Sequence, residues 1–219
     1  MLAKVEETEI QTPSPRKVLD DRVIHLSYTL PTSYTDPVIT DFGAARLGQP
    51  GEKFRGDVMP GVYRAPEVIA DMEWDSKIDI WSVGVMTWDL FEGGNLFPAY
   101  TNGLLDDELY FAQMVALMGP PPKEFLERSE KCSQYWDASG NWIAKTPIPD
   151  QTLEDRETRL QGRDKELLLA LMRKILCWPP EDRPSAEDLY TDPFLRQWVD
   201  YVVDFIKSVQ EKQESSQHD

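Results

Sequence analysis

The stretch from Asp75 to Gly94 constrains the fold more than any other part of this sequence. Ile78, Trp81, Val85 and Trp88 recur at helical spacing, and Ile80, Val83, Met86, Leu90 and Phe91 fill the positions between them. Almost no polar face is left. A helix apolar all round is stable only inside a domain, with other elements packed on every side. Gly93-Gly94 then stops it, since glycine readily adopts the left-handed conformation that closes a helix. The chain is therefore expected to be built around this segment.

Other helices follow from periodicity and caps. Asp107–Met118 reads as a helix ended by Gly119-Pro120-Pro121-Pro122. Lys165–Leu176 places Leu167, Leu168, Leu171 and Ile175 at helical spacing. Ser185 with Asp188 three residues on reads as the capped start of a short helix to Tyr190. A last helix from Pro193 to about Lys212 puts Leu195, Trp198, Val202, Phe205, Ile206 and Val209 on one stripe, before a disordered Glu-Ser-Ser-Gln-His-Asp tail. Residues 123–160 read as a loop-rich insertion carrying Tyr135, Trp136 and Trp142.

The N-terminal side is different. Residues 1–37 read as an irregular lead-in, because the prolines in Thr12-Pro13-Ser14-Pro15-Arg16-Lys17 each remove a donor and restrict the preceding residue. Val23-Ile24-His25-Leu26 is a candidate short strand, and Pro37–Thr40 a second one running into the turn at Asp41-Phe42-Gly43. The expected architecture is mainly α, with a short extended region at its N-terminal side.

Composition narrows the function classes. The 219 residues carry a formal net charge of −16, which excludes a nucleic-acid surface, where Lys and Arg must dominate. The acid excess is dispersed, so it reads first as a solvated surface and second as a docking face for basic peptides or protein partners. Cys132 and Cys177 have no metal-ligand or redox spacing, which points to a reducing compartment, the cytoplasm or nucleus. The opening MLAKVEETEI is no signal peptide, and no apolar run is long enough for a membrane.

Four short segments carry the identification by their order. They are Thr40-Asp41-Phe42-Gly43, then Tyr63-Arg64-Ala65-Pro66-Glu67, then Asp79-Ile80-Trp81-Ser82-Val83-Gly84, and finally Pro180-Glu181-Asp182-Arg183-Pro184-Ser185. The first alone is a common turn. Together they resemble the second half of the eukaryotic protein-kinase domain over about residues 38–196, with 1–37 as lead-in and 197–219 as a terminal helix and tail. Arg64 ahead of Ala-Pro-Glu, the 123–160 insertion and Ala112–Pro122 resemble the branch that includes cyclin-dependent kinases. Within it the chain looks most like fungal serine/threonine kinases related to those acting on Arg/Ser-rich splicing factors.

The resemblance implies ATP-dependent serine/threonine phosphorylation of proteins, with Mg²⁺ and ATP as cofactors. It assigns Asp41 to metal and nucleotide binding, where a hard cation takes oxygen ligands. It places Arg64 beside the surface that receives a substrate peptide. Glu67 and Arg183 become a buried ion pair, and Asp79 a helix residue accepting hydrogen bonds from the catalytic-loop backbone. These last three are scaffold.

The 219 residues also depart from the family pattern. No glycine-rich phosphate loop is present, no lysine-bearing strand with its helix glutamate, and no catalytic loop with its Asp and Asn. The sequence holds no Asn before Asn95, and His25 stands in an unrelated Ile-His-Leu-Ser. Between Asp41 and Glu67 there is no Ser or Thr to phosphorylate, and Pro60 stands where serine/threonine kinases place a threonine. The expectation is a C-lobe fragment, inactive in isolation and not usefully binding Mg·ATP. The alternative expectation is a catalytically dead, kinase-like binding module for basic peptides or protein partners. The carboxylates at Asp106, Asp107 and Glu108 are candidates for that docking.

Overall fold

The computed structural model describes residues 2–25 and 38–197. The chain divides into two compact units, Met1–Phe42 and Gly43–Asp219.

In the first unit, helix α1 spans Leu2–Gln11, and strands β1 (Arg16–Val18) and β2 (Val23–His25) form an antiparallel hairpin. Arg16 faces His25 and Val18 faces Val23 across it. The irregular reading of residues 1–37 is thus corrected. Ala3, Lys4 and three glutamates are good helix formers, and no helix breaker intervenes before Pro13. The candidate strand at 23–26 is present to His25, and Leu26 lies outside the described residues. The expected strand at Pro37–Thr40 is not formed over 38–40, which are exposed. A strand needs a ladder partner, and β1 and β2 pair with each other.

The second unit holds the core. Helix α2 (Pro66–Ile69) precedes the long helix α3 (Lys77–Glu92). A two-stranded hairpin, β3 (Tyr100–Thr101) and β4 (Leu104–Leu105), turns at Asn102-Gly103, both in the left-handed region. Helix α4 (Asp107–Met118) follows, then α5 (Lys123–Leu126), α6 (Leu153–Arg156), α7 (Gly162–Ile175) and α8 (Ala186–Tyr190). Residues 193–197 open a further helical stretch; the rest of the expected terminal helix and tail lies outside the described residues.

α3 is capped by Gly93 at φ 72°, as its sequence predicts. Ile78, Ile80, Trp81, Gly84, Val85 and Trp88 are buried, with Trp81 stacked on Phe97 at 5.9 Å. Full burial is corrected, however. Val83, Met86 and Leu90 are exposed and form a second apolar stripe, while Phe91, also partly exposed, packs on Phe194 at 5.5 Å. Gly84 is where α7 comes closest, since any Cβ there would overlap the Ile175 side chain.

α4 matches its expected limits and is the more completely enclosed helix, with Tyr110 to Val115 all buried. Asp106 caps it by accepting from the Leu109 amide at 3.0 Å. α7 begins at Gly162, three residues before the expected start at Lys165, because its first turn is polar and exposed. α8 carries the full reciprocal cap between Ser185 and Asp188.

Residues 123–160 are loop-rich, as expected, and are tied to the core by a few buried aromatic side chains. Trp136 is buried and lies edge-on to Phe111 (5.1 Å), Trp142 (5.2 Å) and Trp178 (6.0 Å). Phe125 packs on Trp178 at 5.6 Å. Aromatic rings bury more area than the sparse helix content of this stretch suggests.

Candidate functional site

Asp41 and Phe42 end the first unit. Asp41 has φ 62°, a left-handed conformation uncommon for a residue with a side chain, and the next three residues form a 3₁₀ turn. Its carboxylate is exposed. Among the described residues no three His, Cys, Asp or Glu side chains converge as a metal cluster.

In the second unit, the segment leading to Glu67 is fixed at several points. Phe54 and Trp74 exchange both backbone hydrogen bonds at 2.8 Å, and the Trp74 indole donates to the Gly56 carbonyl at 3.0 Å. Lys53 pairs with Asp75, and Arg55 with Glu73 at 3.4 Å. Tyr63 donates to Asp89 Oδ2 at 3.0 Å, while Asp89 Oδ1 accepts from the Leu96 amide at 2.8 Å. Partial burial, with the Asp89 carboxylate beside it, raises the Tyr63 phenol above its ordinary pKa. Buried Tyr110 donates to the Val62 carbonyl.

Arg64 therefore leaves this turn in a defined direction. Its Nη2 lies 2.6 Å from Asp107 Oδ1, and Asp57 stands 3.8 Å away at the surface. Asp107 also accepts from Lys131 at 3.1 Å, and the same ammonium donates to the Ile69 carbonyl at 2.6 Å. One carboxylate thus ties the Arg64 turn, the start of α4 and the 130–134 turn together. A concavity of about 670 Å³ opens beside it, lined among others by Arg64, Leu105, Asp106, Asp107, Glu108 and Tyr135.

The carboxylates of this concavity are already engaged. Asp106 accepts from the Leu109 amide and from Thr101 Oγ1 at 2.7 Å, which together hold its pKa below the ordinary range. Glu108 accepts from the Thr146 amide at 2.5 Å, and hydrogen bonding by the Thr146 side chain and amide together lowers its pKa too.

Glu67 and Arg183 meet in the interior. Nη1 lies 2.7 Å from Oε1 and Nη2 2.7 Å from Oε2, a bidentate pair between side chains that are almost wholly buried. Arg183 also donates to the carbonyls of Cys177, Lys77 and Trp178, and its guanidinium lies 5.2 Å over the Trp81 ring. All five of its N–H directions are occupied by this set.

Asp79 differs from its expected setting. It lies in the first turn of α3, exposed, at the head of the stripe formed by Val83, Met86 and Leu90. Its carboxylate accepts no hydrogen bond from any described residue, and partial loss of hydration raises its pKa. Of the residues singled out from sequence, then, Glu67 is brought against Arg183, Arg64 lies at the concavity, Asp79 stands apart on α3, and Asp41 belongs to the other unit. Sequence reasoning passed over Lys131 and the Tyr63–Asp89 bond. Neither has a local pattern, because each partner lies more than twenty residues away.

Comparison with known proteins accounts for this arrangement. A family model described as "Protein kinase domain" matches residues 32–195. A serine/threonine protein kinase of Aspergillus fumigatus is 41% identical across 87% of this chain and 49% of its own length. Serine/threonine-protein kinase SRPK of Physarum polycephalum is 30% identical, over 72% of this chain and 38% of that protein. Dual specificity protein kinase CLK1 of Mus musculus is 26% identical over 89% and 38%. The chain spans about half the length, or less, of these relatives. It belongs to the protein kinase domain family.

Proposed function

We propose that this chain supplies the substrate-side part of a serine/threonine protein kinase, within the branch of the fungal and splicing-factor-type relatives it matches. The observation that carries this is the buried bidentate pair of Glu67 with Arg183, which joins the segment after Asp41 to the base of the helical unit. It fixes the peptide-facing turn at Arg64, three residues upstream. In this reading Arg64, held by Asp107, borders the surface that receives the acceptor peptide. Asp79 offers its unused carboxylate to the backbone of a catalytic loop.

Magnesium and ATP are the cofactors the family implies. Mg²⁺ is held by one or two carboxylates together with substrate phosphates, and dehydrates reluctantly. Asp41 offers one carboxylate, and among the described residues no group of three or more His, Cys, Asp or Glu side chains gathers around it as a metal cluster. The residues present do not make a magnesium site by themselves. Phosphoryl transfer needs the phosphate-covering loop, the pairing lysine and the catalytic Asp together, none of which these 219 residues supply. Isolated transfer is therefore not expected. As a stand-alone docking module for basic peptides the chain has weaker support, since Asp106, Asp107 and Glu108 already accept from Thr101, Leu109, Arg64, Lys131 and Thr146.

The test is transfer from labelled ATP to a Ser/Arg-rich peptide. The purified chain is expected to give none, with no thermal shift at millimolar Mg·ATP. Co-expression with the upstream part of the Aspergillus fumigatus relative is expected to give transfer that Asp41→Asn removes. Robust transfer by the pure chain refutes the proposal.

A further inference from the structure

The run Thr12-Pro13-Ser14-Pro15-Arg16-Lys17 plays no part in the kinase reading, and its setting is unusual. It joins the end of α1 to the start of β1, and residues 13–15 are neither helix nor strand. Each proline biases the residue before it away from the helical conformation; the Thr12 amide still donates to the Thr8 carbonyl at 2.8 Å and closes α1, whereas Ser14 lies in the irregular stretch that follows. Pro13, Pro15, Arg16 and Lys17 are exposed, and Ser14 is half-buried. Ser14 is held by a single partner: its amide donates to Glu9 Oε1 at 2.7 Å and its hydroxyl to Glu9 Oε2 at 2.5 Å.

We infer that Ser14 is a phosphoacceptor for a separate proline-directed serine/threonine kinase that uses ATP as the phosphoryl donor. An acceptor site that offers no partner to the N–H of the following residue leaves an ordinary amide unsatisfied, but proline has no N–H to strand. Pro15 meets that requirement. Arg16 and Lys17 then place two cations at the second and third positions after Ser14, whereas the same positions after Thr12 hold Ser14 and Pro15. Both hydroxyls precede a proline, and the charge singles out Ser14 between them.

In the step, Ser14 Oγ forms a bond to the γ-phosphorus. The bond between that phosphorus and the β,γ-bridging oxygen breaks, and ADP leaves with the electron pair. The hydroxyl proton passes to the carboxylate base of the modifying enzyme. The product has a local consequence. Ser14 loses its donor to Glu9, and a phosphate of about −1.5 to −2 charge stands against that carboxylate. Arg16, two residues on at the start of β1, is the nearest cation in sequence to receive it. Phosphorylation therefore exchanges the Glu9 clasp on the end of α1 for phosphate contacts within the hairpin.

The experiment incubates the whole chain with a purified cyclin-dependent kinase–cyclin complex and ATP, and maps the phosphate by tandem mass spectrometry. One phosphate on Ser14 is expected. Ser14→Ala and Pro15→Ala are expected to cut incorporation about tenfold or more, while Thr12→Ala leaves it within about twofold. Circular dichroism of each variant guards against misfolding. Amide exchange at Ser14 is expected to accelerate on modification, as its bond to Glu9 is lost. Phosphate on Thr12 or elsewhere, equal labelling of Pro15→Ala, or no labelling while a control Ser-Pro peptide is modified overturns the assignment. Unchanged exchange at Ser14 overturns the loss of the clasp.

Discussion

Replacing Glu67 by Ala tests the internal link of the helical unit directly. The substitution leaves the Arg183 guanidinium buried, still bonded to the carbonyls of Cys177, Lys77 and Trp178 but without a counter-charge. Removing one partner of such a pair costs about 3–5 kcal/mol, because the remaining charge is neither solvated nor paired. Against a typical total of about 5–15 kcal/mol, that is a large share. At this chain length each kcal/mol moves the melting temperature by about 2–4 °C, so Glu67→Ala is expected to lower it by roughly 6–20 °C. Arg183→Leu should cost a similar amount from the other side, since Glu67 is then the stranded ion. Glu67→Ala combined with Arg183→Leu should cost less than the sum of the two, with a coupling of about 1–3 kcal/mol. Urea melts followed by tryptophan fluorescence measure all three, because Trp81 and Trp178 both touch Arg183. Single variants each costing under about 1 kcal/mol, or strictly additive losses, would refute the reasoning.

Three further outcomes follow from particular contacts. Glu181 is held down to about 2 by its hydrogen bonds with the Arg128 guanidinium. Its folded value is thus depressed below the ordinary 4.5, so its contribution is complete above about pH 4.5 and lost as pH falls toward 2. Arg128→Ala should return the carboxylate to its ordinary range in an NMR titration, at a stability cost of about 1 kcal/mol or less for this half-exposed pair. Gly84→Ala should destabilise by about 1–3 kcal/mol in thermal melts through overlap with Ile175, and adding Ile175→Ala should recover part of the loss. Ser185→Ala should cost about 1 kcal/mol by removing the cap of α8, and Ser185→Asp should retain most of it.

Local signals carried most of the helical unit. Gly93, Gly119 and the Ser185–Asp188 cap are read from residues a few positions apart, and α3 and α4 end, and α8 begins, where those residues stand. Glu67 and Arg183 are 116 positions apart, and only the resemblance of two separate motifs to one family brought them together. The Asn102-Gly103 turn, a strong hairpin signal between Tyr100-Thr101 and Leu104-Leu105, was legible and went unread. The packing of residues 123–160 was illegible for a different reason. Their order comes from aromatic contacts to Phe111 and Trp178, and such contacts have no period. The exposed stripe on α3 was misjudged because hydrophobicity states what a face favours, not whether an element is there to cover it. Of the candidate site, Arg64 was legible but its restraint was not, since Lys131 reaches Asp107 from a turn 24 residues away.

The aromatic cluster also gives the molecule an optical signature. Trp136 and Trp142 face each other across a backbone bridge, their rings 5.2 Å apart and tilted by 75°. Trp178 stands nearly perpendicular to Trp136 at 6.0 Å. Indole transitions at such separations and angles mix, and a chiral array of them rotates ultraviolet light far more than isolated chromophores do. The folded chain should therefore show an exciton couplet in circular dichroism from the array of Trp136, Trp142 and Trp178. It would collapse with Trp136→Phe while the helical bands persist, which makes it a private reporter of whether this stretch has docked.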